Sequence, residues 1–334
     1  MDNSDWIYQA RGDKNTPSLA DVTMIKRFLI PVGLILLISC STGPPEKTIP
    51  PESPARNHNR RGLGYLEKGE TQRAMAEFLG AVNLEPKYTE AHFNLGRTYY
   101  RRGMINAALL EFEKTIDLDP SYADAYYHMG LIYHGRRDFE KAIESYRKAI
   151  RKNPRHIGAH LNLALAYEAL GELNKATSEF RRVVDLNPQA IAARNRLGWI
   201  LERTGHLDEA IAEYQASIRV DPTYVETFNL LGNAYFAKGQ YAEAFSAWKK
   251  ALAINPEDSE AIYNIGMAYM EMGRVDEAIA ALKKAIALRP DFALAHVGLG
   301  KAYYMNDMKE EAYREWNRAR RIDPRVELKG LPEQ

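Results

Sequence analysis

The chain has 334 residues, of which 45 are Lys or Arg and 44 are Asp or Glu, leaving a formal charge of +1. So even a balance excludes a global field that would draw the molecule to nucleic acid or anionic lipid. The only cysteine, Cys40, excludes a disulfide within the chain.

Residues 1–23 are polar and, at first, acidic. At Met24 the character changes: Lys26 and Arg27 lead into an apolar run from Phe28 to Ile38, followed by Ser39 and Cys40. Eleven apolar residues are too few to span a bilayer comfortably, yet they suit the apolar region of a secretory signal peptide. Two readings of the lead stay open: translation that begins at Met24, or an extension before an uncleaved anchor. The next stretch holds five prolines, Pro44, Pro45, Pro50, Pro51 and Pro54. That composition favours extended polyproline and reads as a spacer.

From there the chain is one unit copied eight times. Pro86, Pro120, Pro154, Pro188, Pro222, Pro256, Pro290 and Pro324 stand 34 residues apart, the mark of a stacked repeat array. Counting back places repeat starts at Ala55, Thr89, Ala123, Ile157, Ile191, Val225, Ser259 and Ala293. The eighth place is small (Gly62, Gly96, Gly130, Ala164, Gly198, Gly232, Gly266, Gly300) and predicts a close helix crossing. The twentieth place is always alanine, from Ala74 to Ala312, and the twenty-fourth is bulky, from Phe78 to Trp316. Two helices of about a dozen residues per repeat follow from this periodicity.

A glycine near the fifteenth place (Gly69, Gly103, Gly171, Gly205, Gly239, Gly273) should end the first helix, and the proline should end the second. Repeats three and eight carry Arg137 and Asp307 there instead, and nearby Gly135 is the candidate to end the helix in repeat three. Arg61 and Arg320 replace the aliphatic residues found at the same places of other repeats, as capped ends would.

These columns resemble the tetratricopeptide repeat family, whose Leu-Gly, Tyr, Ala, Phe and Pro pattern stands almost whole in FNLGRTYY and LLGNAYFAKG. The resemblance covers residues 55–324. It implies an all-α, right-handed α-solenoid superhelix of eight helix-turn-helix repeats, ending in a short tail, 325–334. It also implies that repeat places 2, 5, 6, 9, 12 and 13 line a concave groove for a protein or peptide. Carried over, the sixth place gives Asn94, His128, Asn162, Arg196 and Asn264, whose asparagines suit a peptide backbone. The alternative is that asparagine is simply the common residue there. Arg97, Arg101 and Arg203 make one end of this face basic. Phe236, Tyr263, Met267, Met270, Tyr304 and Met305 make the other end an apolar patch, suited to a hydrophobic segment, though an inward helix face would claim some of them for the core. Asn233 and Asn264 match two places of the members that clamp a terminal carboxylate, but Asn229 stands where they need a lysine, and Leu294 and Gly298 where further cations follow, which argues against that ligand.

Leu37-Ile38-Ser39-Cys40 resembles the lipobox of bacterial lipoproteins. That likeness implies a signal peptide over 24–39 and an acylated Cys40 heading a 40–54 tether. The lipid would anchor the array to a membrane of the bacterial envelope. Ser41 in place of aspartate points to the outer membrane, facing the periplasm. A tethered array of this kind resembles the repeat lipoproteins that assist type IV pilus and secretin assembly. Adaptors for envelope proteases, peptidoglycan enzymes or polysaccharide export share the plan. A non-catalytic regulatory subunit of an enzyme on another chain is a further class. No cofactor, metal cluster or catalytic constellation is expected, and His58, His92, His160 and His296, all at the fourth place, read as packing residues.

Overall fold

In a computed structural model of the chain, the structure describes residues 53–326. Cys40, the stretches 1–23 and 24–39, most of the 40–54 tether and residues 327–334 lie outside the described residues. The described residues form sixteen α-helices and no strand. They pair as α1 (Pro54–Glu67) with α2 (Thr71–Leu84), α3 (Thr89–Arg101) with α4 (Ile105–Leu118), α5 (Ala123–Gly135) with α6 (Phe139–Lys152), and α7 (Ile157–Ala169) with α8 (Leu173–Leu186). The series continues with α9 (Ile191–Arg203) and α10 (Leu207–Val220), α11 (Val225–Ala237) and α12 (Tyr241–Ile254), α13 (Ser259–Glu271) and α14 (Val275–Leu288), then α15 (Ala293–Met305) and α16 (Lys309–Ile322).

Seven of the eight first helices begin at the residue the proline spacing marks. The exception is α1, which takes Pro54 from the tether because the Ser53 hydroxyl accepts the Arg56 amide at 3.2 Å, and proline suits the first helical position. First helices of neighbouring repeats touch, as α1 does α3 and α11 does α13, whereas no second helices are in comparable contact. The stack therefore curves with its first helices on the inside.

The small eighth place is a steric requirement. A Cβ added at Gly130 would lie 2.4 Å from the Tyr146 ring, and one at Gly232 would lie 2.3 Å from the Trp248 indole. The bulky side chain of each second helix thus lies over the backbone of its own first helix, fully buried at Phe78, Phe112, Tyr146, Tyr214 and Leu282. The turns contain a correction. Gly135 is the last residue of α5 but does not take the left-handed turn position of repeat three; Arg137 takes that conformation at φ 61°, as Asp307 does at 58°. The turn geometry is set by the hairpin, so a side-chain-bearing residue is forced into the conformation that glycine adopts elsewhere at no steric cost.

The fourth-place histidines pack as expected, with a bond network the sequence reading did not foresee. Nδ1 of His58, His92, His160 and His296 meets a carboxylate nineteen residues on, Glu77, Glu111, Glu179 and Glu315, at 2.5–2.7 Å. In three of them Nε2 also lies 3.0–3.1 Å from a carbonyl of the preceding loop, at Pro86, Pro154 and Pro290. Arg194 does the same with Glu213 and the Pro188 carbonyl. Each clasp ties both helices of its repeat, and four of them also tie the loop before it.

Candidate peptide-binding groove

The inner face is built from the first helices, and its first surprise is how much of the asparagine column is spent internally. Asn94 donates to Asn59 Oδ1 at 3.0 Å, and Asn162 donates to the Gly158 carbonyl and to Tyr127. Both are buried. As rungs for a ligand these two are corrected: their donors staple one repeat to the next, since an unpaired amide in a packed helix seam would carry a desolvation penalty.

His128 is likewise a packing residue. Its ring stacks on Phe112 at 5.4 Å and meets Phe93 and Tyr127. Burial, reinforced by the nearby Arg97 cation, lowers its pKa to about 3, so it sits neutral in the seam. Met270 belongs to the core cluster with Leu282 and Trp316 rather than to the surface. Asn233 accepts from the Trp248 indole at 3.2 Å, and Phe236 packs on Tyr241 and Trp248.

Other residues keep a groove-facing part. Arg97 rides over the Phe93 ring at 5.6 Å, and Arg101 is exposed. Arg196 pairs with Glu168 through two bonds and stacks on Trp199 at 4.7 Å. Tyr263 leans on Phe292, Tyr304 on Trp316, and both stay half-buried with Asn264 and Met267. Asn229, by contrast, is corrected as a groove residue: it is 4 % exposed and donates to Asp258 at 2.6 Å across the seam.

The centre of the face was overlooked. Trp199 lies half-buried between two guanidinium groups, Arg196 and Arg203, the latter 4.8 Å from its ring. Leu131 and Leu165 stand at the same ninth place of the two preceding repeats, half-buried against the core cluster, against which Leu161 and Leu230 also pack. Trp248 and Trp316 are almost wholly buried, so Trp199 is the described tryptophan that solvent reaches. The ninth-place column was legible in the spacing; what masked it was Arg97, Asn233 and Lys301 in the same column. At the far end Leu294 and Met305 are 52 % and 54 % exposed.

Burial also raises the pKa of Glu202, on the inner face of α9, although the Tyr214 hydroxyl donates to it. Among the described residues no group of three His, Cys, Asp or Glu gathers to hold a metal. What the arrangement offers is contact: a lined trough of aliphatic and aromatic surface edged by charge.

A curved stack of helical hairpins with such a trough defines a binding scaffold of the α-solenoid class. A model described as TPR repeat matches residues 62–103, 96–135, 203–239, 232–273 and 266–307, and two tetratricopeptide repeat models match 123–156 and 145–177. The chain belongs to the tetratricopeptide repeat family, whose domains bind protein or peptide partners. No curated protein matches it.

Among solved structures it is similar to YrrB, a TPR protein with an unusual peptide-binding site, at 26 % identity over 56 % of this chain and 96 % of that one, with a TM-score of 0.51. It is also similar to PilW, a widely conserved type IV pilus biogenesis factor, at 22 % identity over 61 % and 95 % of the two chains, with a TM-score of 0.52. A third is PilF of Pseudomonas aeruginosa, at 18 % identity over 62 % and 94 %, with the same TM-score. The last two show the fold alone.

Proposed function

We propose that this protein is a membrane-tethered scaffold whose inner face captures a segment of another protein during assembly of an envelope complex. The observation that carries the binding half is the half-buried row Leu131, Leu165 and Trp199, flanked by arginines, on the concave side. A self-contained fold gains nothing from leaving an indole in a trough, and aromatic and arginine side chains are the usual anchors of protein contacts. The described peptide-binding site of YrrB supports the same reading.

The tether rests on sequence: the basic start, the apolar run and the lipobox-like end at Cys40, followed by the proline-rich spacer. Type IV pilus or secretin assembly is the envelope complex this reading names, and the array does no chemistry of its own in it. Two measurements test it. Metabolic palmitate label should enter the native protein and vanish in Cys40→Ser; label that persists refutes the anchor. Proteins captured from detergent-solubilised envelopes should be lost when Trp199→Ala and Leu165→Ala are combined; unchanged capture removes the groove from the account.

A further inference from the structure

Three imidazoles in this stack face an acceptor oxygen with both ring nitrogens. Nδ1 of His92, His160 and His296 lies 2.5–2.7 Å from a carboxylate oxygen of Glu111, Glu179 and Glu315, while Nε2 lies 3.0–3.1 Å from the carbonyl oxygen of Pro86, Pro154 and Pro290. All three rings are buried. A neutral imidazole has one N–H and one bare nitrogen, so beside two acceptors it satisfies one and turns a lone pair to the other. Two arrangements avoid that clash: an imidazolium against a carboxylate, or a neutral ring against a protonated carboxyl.

Repeat five favours the first. At the same place Arg194, a permanent cation, makes the same two contacts, to Glu213 at 2.7 Å and to the Pro188 carbonyl at 3.1 Å. The slot therefore accepts a cation with two donors. At His92 the Glu111 carboxylate raises the ring pKa, and with the Pro86 carbonyl it outweighs burial and the Lys114 charge. The charged groups facing the other two rings are Glu179 at His160, and Glu315 with its partner Arg318 at His296.

Each carbonyl belongs to a loop that joins one repeat to the next: Pro86 between α2 and α3, Pro154 between α6 and α7, Pro290 between α14 and α15. The other four joints are built without histidine. Arg194 closes the one before α9, the Tyr126 hydroxyl donates to the Pro120 carbonyl at 3.5 Å before α5, and buried Phe228 and Ile262 stand at that place in α11 and α13.

We propose that His92, His160 and His296 are imidazolium ions at neutral pH and act as proton-operated locks on three joints of the stack. A ring that loses its proton keeps the bond to the carboxylate and turns a bare Nε2 to the loop carbonyl, which releases the loop. Protonation favoured by the fold is stabilising below the ordinary value of about 6.5, and that stabilisation is lost as pH rises through the folded value. Alkaline conditions therefore loosen these joints.

Nitrogen NMR of the histidine-labelled full chain tests the charge, with peaks assigned by single His→Arg changes that copy Arg194. At about pH 7 each of the three rings should show two protonated nitrogens; a bare ring nitrogen there overturns the proposal. Amide hydrogen exchange tests the lock. The Tyr88, His156 and Phe292 amides bond within the three loops, to the carbonyls of Glu85, Asn153 and Arg289 at 3.0–3.1 Å. With the intrinsic base-catalysed rate divided out, their protection should fall about tenfold from about pH 6 to about pH 9, while that of Ala190 in the arginine joint and Asp258 in an apolar joint holds. The triple variant His92→Arg, His160→Arg, His296→Arg should abolish the fall. An equal fall at all five amides, or one that persists in the triple variant, overturns the lock.

Discussion

Repeats one, two, four, five and eight differ from repeats three, six and seven in how they fill one contact between their two helices. In the first group the fourth place is His58, His92, His160, Arg194 or His296, and the twenty-third place is a glutamate in every case. In the second group the fourth place is Tyr126, Phe228 or Ile262, and the twenty-third is Ser145, Ala247 or Ala281. Phe228 and Ile262 are buried, 6 % and 4 % exposed. The same gap is thus closed by a hydrogen-bonded polar pair or, at Phe228 and Ile262, by a large apolar residue opposite a small one. Neither half is exchangeable alone: glutamate opposite Phe228 would bury an unpaired carboxylate, and alanine opposite His92 would leave an orphan imidazole.

The widest contrast comes from the apolar group. Trp248→Ala in repeat six should destabilise the array by about 3–5 kcal/mol, the range for an emptied aromatic site, because Trp248 is 1 % exposed. Denaturant melts followed by circular dichroism check it; a loss below that for Glu111→Ala would break the comparison. In the polar group, Glu111→Ala should cost about 1–3 kcal/mol through the unpaired His92, whereas the double change His92→Phe, Glu111→Ala copies repeat six and should recover most of that loss.

The pH dependence separates the two solutions more finely. The bond to Glu111 raises the pKa of His92, with the Pro86 carbonyl assisting and burial and Lys114 opposing. A raised folded-state value means stabilisation that is complete below the unfolded value of about 6.5 and is lost as pH rises through the folded value. The melting temperature should therefore fall over that window. His92→Arg, which copies Arg194, should flatten the fall between native protein and variant; equal slopes would remove His92 as its cause. The smallest effect is expected at a turn of the apolar group: Arg137→Gly should stabilise repeat three by roughly 0.5–1 kcal/mol by relieving its φ of 61°. Hydrogen exchange of the α5–α6 turn amides reads it.

Much of the fold was legible. The proline spacing located seven of the eight first-helix starts to the residue, and the Gly130 and Gly232 contacts confirm why the eighth place must be small. The His–Glu clasp was half legible: the fourth-place histidines form a visible column, but the glutamate partner emerges only when the twenty-third place is read against it. The groove was least legible. Asn94, Asn162, Met270 and Trp199 all stand at places that face the inner side, and nothing in their one-letter order tells which are spent on a neighbouring repeat.

What the sequence by itself determined was everything that repeats with a period of 34: helix number, turn positions and the small-on-large packing, because each is a contact within one repeat unit. What only the tertiary structure decided was the fate of polar side chains at the seams between repeats, where Asn94 Nδ2 finds Asn59 but Asn264 Nδ2 is left without a bond. Those outcomes depend on the distance and angle between two stacked units. A hydrogen bond that fails beyond a few tenths of an ångström resolves differences that a hydrophobic periodicity averages away.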